Sequence, residues 1–186
     1  GKKQLVERVN ILGNSITNES VIRSEMEIDE GDPFTNLSLD KSIANIQSRR
    51  IFKEVTYKIS EGSAKNLKNI DIIVEEKPTG EISAGAGVGT SGGTIAFGVT
   101  ENNFLGRGIE FSSDLTVSSE SVKGLMSVNN PNYQGTDKSL NFTLESTVTD
   151  RLSVNGYKTS KTGLAFNTSF EQYKDLYTKL GLSVSY

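Results

Sequence analysis

From residue 81 onward, apolar and polar side chains alternate one for one. Ile82, Ala84, Ala86 and Val88 fall on one side of such a strand, with Ser83, Gly85, Gly87 and Gly89 on the other. Ile95, Phe97 and Val99 repeat the pattern after Ser91-Gly92-Gly93, which reads as a turn. Ile109, Phe111, Leu115 and Val117 then oppose Glu110, Ser112, Asp114 and Thr116. Val122, Met126 and Val128 follow less cleanly, because Leu125 falls on the polar side. Leu140, Phe142, Leu144 and Val148 form the next set; Leu164, Phe166 and Phe170 come after it, and Leu176, Leu180, Leu182 and Val184 are last. This period of two predicts about seven antiparallel strands, many of roughly 9–11 residues, the length that crosses a bilayer when tilted.

The first 78 residues carry a different pattern. Residues 4–12 have the composition of a strand and end at Gly13-Asn14, a turn pair. Thr17 is placed to cap a helix over residues 18–26, with Glu19 in its positive first turn. Gly31-Asp32-Pro33 breaks the chain, and Leu39, Ile43 and Ile46 mark a second helix over roughly 38–48. Residues 52–59 read as a strand, and residues 69–75 as another with Ile70, Ile72 and Val74 on one face. The order β-α-α-β-β suits a small sheet covered on one face by two helices, an α+β domain. The expected division is therefore 1–78 and 79–186.

Charge supports a boundary there. Residues 1–79 hold 12 Lys/Arg and 13 Asp/Glu, against 8 and 10 in residues 80–186, so charge density falls while Gly, Ser and Thr rise. The net charge of −3 provides no basic field for nucleic acid. Cysteine and histidine are both absent, which removes thiol chemistry, Cys/His zinc sites and any triad with an imidazole base. No enzyme activity, cofactor or metal is expected. No run of about 18 apolar residues is present, so no transmembrane helix is expected. The start, GKKQLVERV, runs straight into strand-like sequence, which suggests an internal piece of a longer chain.

An apolar stripe opposite a Ser/Thr/Asn/Glu stripe fits either a soluble sandwich or a membrane barrel. In the sandwich the apolar face is core; in the barrel it meets lipid and the polar face lines the lumen. The hydrophobic fraction of 34% and the long uniform strands favour the barrel. Glu110, Asp114 and Glu145 then point into a wet interior, which explains them without catalysis.

Gly87, Gly89 and Gly92 have the spacing of a dinucleotide fingerprint. That chemistry needs a helix after the glycines to present its amides to a pyrophosphate, whereas TIAFGVTENN follows, a strand. Two readings of these glycines remain and are compatible. One is small residues packed on a crowded interior face or at a bend. The other is a deliberately weak first strand, since glycine costs backbone entropy and offers no cross-strand contact. Arg23 and Glu25 read as helix surface charges, and Arg49-Arg50 as cations opposing a helix dipole.

The stretches GNSITNESVIRSEMEIDEGDPF, IFKEVTYKISEG and IDIIVEEKPTG resemble a POTRA domain, in particular the last one before the barrel in the BamA family. ENNFLGRG and NPNYQGTDKS resemble periplasmic turns of that barrel, which leaves SGG, SSES and NGYKTSKT as outward loops. The resemblance implies a POTRA domain in the periplasm followed by the first strands of a truncated transmembrane β-barrel in a bacterial outer membrane. Single-chain bacterial barrels have an even number of strands, eight or more, so seven imply missing ones.

It also implies an assembly factor that helps unfolded outer-membrane proteins fold into the lipid bilayer, working with BAM-type lipoproteins including BamD. Strand addition is the implied mechanism. One edge is the POTRA strand with Phe52, Val55, Tyr57 and Ile59; the other is a lateral gate along Glu81, Ile82, Ala84, Gly85, Ala86, Gly87, Val88 and Gly89. Arg23 and Glu25 match positions implied to meet the partner lipoprotein. The alternative is a transporter of the two-partner secretion type, which exports a passenger through the barrel.

Overall fold

A computed structural model of the chain describes residues 3–89, 92–152, 156–173 and 176–186. Two compact units divide it: Gly1–Pro78 together with Leu105–Gly108, and Thr79–Phe104 together with Ile109–Tyr186.

The first unit holds β1 (Leu5–Leu12), α1 (Glu19–Arg23), α2 (Asn36–Ser48), β2 (Phe52–Glu61) and β3 (Leu67–Glu76). Its sheet has the order β1-β3-β2, with β1 parallel and β2 antiparallel to the central β3. Ile70, Ile72 and Val74 alternate on β3 towards the core, as their spacing predicts. Val6 and Val9 are both buried although three residues apart, because the register slips between Val6 and Arg8 and brings both to one face. A second slip, between Phe52 and Glu54, does the same for Phe52 and Val55. Ile22 of α1 and Leu39 and Ile46 of α2 close the core over this face.

Both helices differ from their sequence-derived bounds. The first stops at Arg23, so Glu25 and Met26 lie beyond it, and its N-cap is Asn18. Thr17 does not cap it, because its hydroxyl as well as its amide bonds the Glu76 carboxylate. The second starts at Asn36, where the Thr35 hydroxyl accepts from the Ser38 amide at 3.1 Å.

The second unit is a meander of seven antiparallel strands: β4 (Gly80–Gly89), β5 (Gly92–Phe104), β6 (Ile109–Ser118), β7 (Ser121–Asn130), β8 (Ser139–Arg151), β9 (Tyr157–Tyr173) and β10 (Leu176–Ser185). Register gathers the apolar positions into rows. Phe111, Val128, Phe142, Phe166 and Leu182 form one, and Ala86, Ile95, Val117, Val122 and Val148 another. The opposite face carries Ser83, Gly98, Asp114, Leu125, Glu145 and Gly163 in one row. Leu125 thus stands between two carboxylates on the polar face.

Among the described residues every buried apolar side chain belongs to the first unit, and the apolar rows of the second are open, with Ile82 82% and Leu182 71% exposed. Among the described residues no second layer covers these rows, an arrangement that fits strands of a barrel rather than one sheet of a closed sandwich. Two connections also differ from expectation. Tyr157 already pairs with Arg151, so YKTSKT is strand and not loop. The expected turn at Ser91 lies outside the described residues, while Gly92 and Gly93 belong to β5.

Candidate strand-addition edges

A sheet edge presents unpaired amides and carbonyls, so each outer strand is a possible docking line for an extended segment. In the first unit the outer strands are β1 and β2. Phe52 and Val55 of β2 are core residues beneath α2, whereas Tyr57 and Ile59 are 42% and 36% exposed. The helix therefore covers only the first half of the strand. The Gln47 amide reaches the Val55 carbonyl at 3.5 Å. Beyond Val55, among the described residues, no hydrogen bond closes the outer side of β2. The flanking Lys53 amine donates to Glu75 at 2.5 Å, and this bond raises its pKa above the ordinary lysine value.

In the second unit, among the described residues, β4 pairs with one strand, β5. The hairpin is uneven along its length. At its root the Thr79 hydroxyl bonds the Glu101 carboxylate, which also accepts from the Asn103 amide at 2.7 Å, and Asn103 is buried. Towards the tip Gly87 faces Thr94, Val88 faces Gly93 and Gly89 faces Gly92, so almost no side chains meet across the strands. A Cβ added at Gly85, Gly87 or Gly89 would find nothing within 4 Å among the described residues. Crowding within this segment is therefore not what requires glycine there, in contrast to Gly98, which is wedged between Ser83 and Asp114. Ile82, Ala84, Ala86 and Val88 share the apolar side of the strand, and Glu81 lies on the other.

Arg23 and Glu25 are engaged inside the first unit. The Arg23 guanidinium donates to Glu19 at 2.7 Å and to the Val9 carbonyl at 2.9 Å, and lies 3.9 Å from Glu30. Glu25, 15% exposed, sits 3.5 Å from Arg49, whose guanidinium also bonds the Gly108 carbonyl. Arg49 is thus an ion-pair partner as well as a helix C-cap, and Arg50 takes φ 58° to turn the chain into β2.

Sequence reasoning missed Glu76. Its carboxylate accepts from the amides of Ser15, Ile16 and Thr17 and from the Ser15 hydroxyl. Partial burial pushes its pKa up, but these bonds, led by those from Thr17, outweigh it and bring the value down to about 2. Nothing in the sequence ties residue 76 to a loop some sixty positions earlier.

The family model for POTRA, the surface antigen variable number repeat, matches residues 4–77. The outer membrane protein assembly factor BamA of Neorickettsia risticii (strain Illinois) is 32% identical over 106 residues, 56% of this chain and 14% of that protein. BamA of Neisseria meningitidis serogroup B is 23% identical over 175 residues, 91% of this chain. The chain spans only 22% of the Neisseria protein's length. BamA of Haemophilus ducreyi lacking POTRA domains 1–3 shares the fold over 100% of this chain and 36% of its own, with TM-score 0.82 at 23% identity. CdiB of Escherichia coli fits less well, with TM-score 0.62 at 14% identity over 98% of this chain and 36% of its own. Residues 4–77 therefore match the POTRA family, and along its length the chain is similar to BamA outer-membrane protein assembly factors and shares their fold.

Proposed function

We propose that the chain is part of an outer-membrane protein assembly factor that helps β-barrel clients fold and insert, by strand addition at two edges. The observation that carries this reading is β4: an outer strand pinned at its root, almost bare of cross-strand contacts towards its tip, and apolar on one side. Such a strand pairs weakly with any neighbour, so the residues 81–89 can exchange that neighbour for a client strand. The client itself supplies the driving free energy by forming its ladder and burying its apolar stripe in lipid.

Residues 1–78 act in this reading as the periplasmic POTRA domain, and residues 79–186 as the first strands of the barrel. The second edge is β2. Tyr57 and Ile59 border its open stretch, while Phe52 and Val55 hold the strand on the core. A BAM-type lipoprotein such as BamD would dock by competing for the pairs that Arg23 and Glu25 now make with Glu19 and Arg49.

The test uses the full-length parent in liposomes. Folding of an unfolded outer-membrane barrel is followed by heat-modifiable gel mobility, against empty liposomes and a form without POTRA domains. Faster folding that requires the POTRA region is expected. No acceleration, with passage of a passenger through the barrel instead, would sink the proposal in favour of secretion.

A further inference from the structure

The two edges of the POTRA sheet are not equivalent. Along the outer side of β1, the Val6 amide donates to the Asp32 carbonyl at 2.9 Å and the Val6 carbonyl accepts from Gly31 at 2.8 Å. The Gln4 carbonyl accepts from the Phe34 amide at 2.8 Å. The chain break at 31–34 therefore serves as a short partner strand over the first half of β1. It ends there, and Val9 is the next residue whose main chain faces outward. Its amide donates to the Glu30 carboxylate at 3.1 Å, and its carbonyl accepts from the Arg23 guanidinium at 2.9 Å.

One acceptor and one donor presented to the same residue is what an antiparallel neighbour supplies at a hydrogen-bonded pair. Here two side chains supply it. Arg23 is held in place by its 2.7 Å bond to Glu19 one helical turn away, and lies 3.9 Å from Glu30. On the other side of the sheet, among the described residues, β2 has no such cover past Val55.

We propose that Arg23 and Glu30 are an edge plug: they take the main-chain groups of Val9 that an incoming extended polypeptide would need, and so confine strand addition in this domain to β2. The inference rests on the strand-addition reading given above and adds which edge is used and what closes the other. A plug of two charged side chains suits this place, since a row of unpaired main-chain groups on an outer strand takes up any extended segment.

Asn10 and Lys58 make a matched pair of probes, because both lie opposite Asp71 on the central strand, one on each edge. In the full-length protein in liposomes, a photo-reactive side chain at position 58 is expected to cross-link an unfolded outer-membrane barrel polypeptide, and one at position 10 is not. In the R23A/E30A variant position 10 gains the cross-link while position 58 keeps it. Cross-linking at position 10 without the substitutions, or none there in the variant with position 58 still labelled, would overturn the plug. If neither position labels, strand addition by this domain is wrong, and the plug is then judged by hydrogen exchange of the Val9 amide. Exchange must accelerate in R23A/E30A and stay slow in R23K/E30Q, which keeps a donor and an acceptor; unchanged exchange in R23A/E30A would overturn it. Helical circular dichroism checks that each variant is folded.

Discussion

The Thr17 amide donates a 2.6 Å hydrogen bond to the Glu76 carboxylate, joining the loop that enters α1 to the last residue of β3. With the amides of Ser15 and Ile16 it forms a concave set of donors around one carboxylate. These bonds favour the ionised form and hold the pKa at about 2, below the ordinary 4.5. A depressed carboxylate stabilises the fold fully above its unfolded pKa, and that contribution fades as pH falls from about 4.5 towards 2. With allowance for solvent at this partly exposed loop, the contribution is on the order of 2 kcal/mol. Glu76→Gln should lose it at neutral pH and flatten the acid limb, read from the helical dichroism melt at pH 7 and pH 3. Parallel acid limbs in both proteins would remove the assignment.

A second prediction concerns Glu25 and Arg49, 15% and 11% exposed and 3.5 Å apart. Removing Glu25 from this largely covered pair takes the counter-charge from Arg49, which keeps its bond to the Gly108 carbonyl, at about 1–2 kcal/mol. Glu25→Ala is expected to lower the melting temperature of the first unit by several degrees. The reversed pair E25R/R49E should recover part of the loss. If Glu25 acted only as a surface contact for a lipoprotein, Glu25→Ala would leave the melt in place and weaken only capture of that partner.

Much of this architecture is legible in the sequence because period-two alternation survives wherever a strand is straight. Ile70, Ile72 and Val74, and the apolar sets from Ile82 to Val184, are such cases. Alternation misleads where register slips: Val6 and Val9 appear to belong to opposite faces until the irregularity at residues 6–8 places both inside. Spacing also misleads at the end of α1, since Val21, Ile22, Glu25 and Met26 keep helical spacing although the helix stops at Arg23, whose guanidinium turns back to the Val9 carbonyl. What could not be read at all are contacts between charged side chains and distant main chain, such as Glu30 with Val9 and Glu76 with the 15–17 amides. Their partners carry no side-chain signature, because any residue offers an amide.

Gly13 gives a third prediction. It turns the chain after β1 with φ 92°, and a Cβ there would run into the Val74 carbonyl oxygen. Both the backbone conformation and the close approach require glycine. Gly13→Ala should destabilise the first unit by about 2 kcal/mol, from strain in the left-handed region plus displacement of β3. The same melt reads it, and Asn14→Ala, which removes only a side-chain bond to the Thr17 carbonyl, should cost less.

The last prediction separates the two readings of the glycines in β4. Within the described residues a Cβ at Gly85, Gly87 or Gly89 meets open space, so alanine at these positions is expected to be accommodated. Each replacement also removes a backbone-entropy penalty of roughly 0.5–1 kcal/mol for glycine within a strand. The triple variant G85A/G87A/G89A should therefore make a firmer β4, with slower hydrogen exchange at the tip of the hairpin than in the unsubstituted protein. The root should be unaffected, since Thr79, Glu101 and Asn103 already hold it. If a weak seam is what receives client strands, the firmer one will assemble and insert normally yet accelerate client folding less in the liposome assay. If the glycines serve only to leave room for neighbouring side chains in the closed barrel, the variant will instead fail to reach its own heat-modifiable form. A variant that folds normally, exchanges more slowly and still accelerates clients at the full rate would refute the gate while leaving the strand assignment intact.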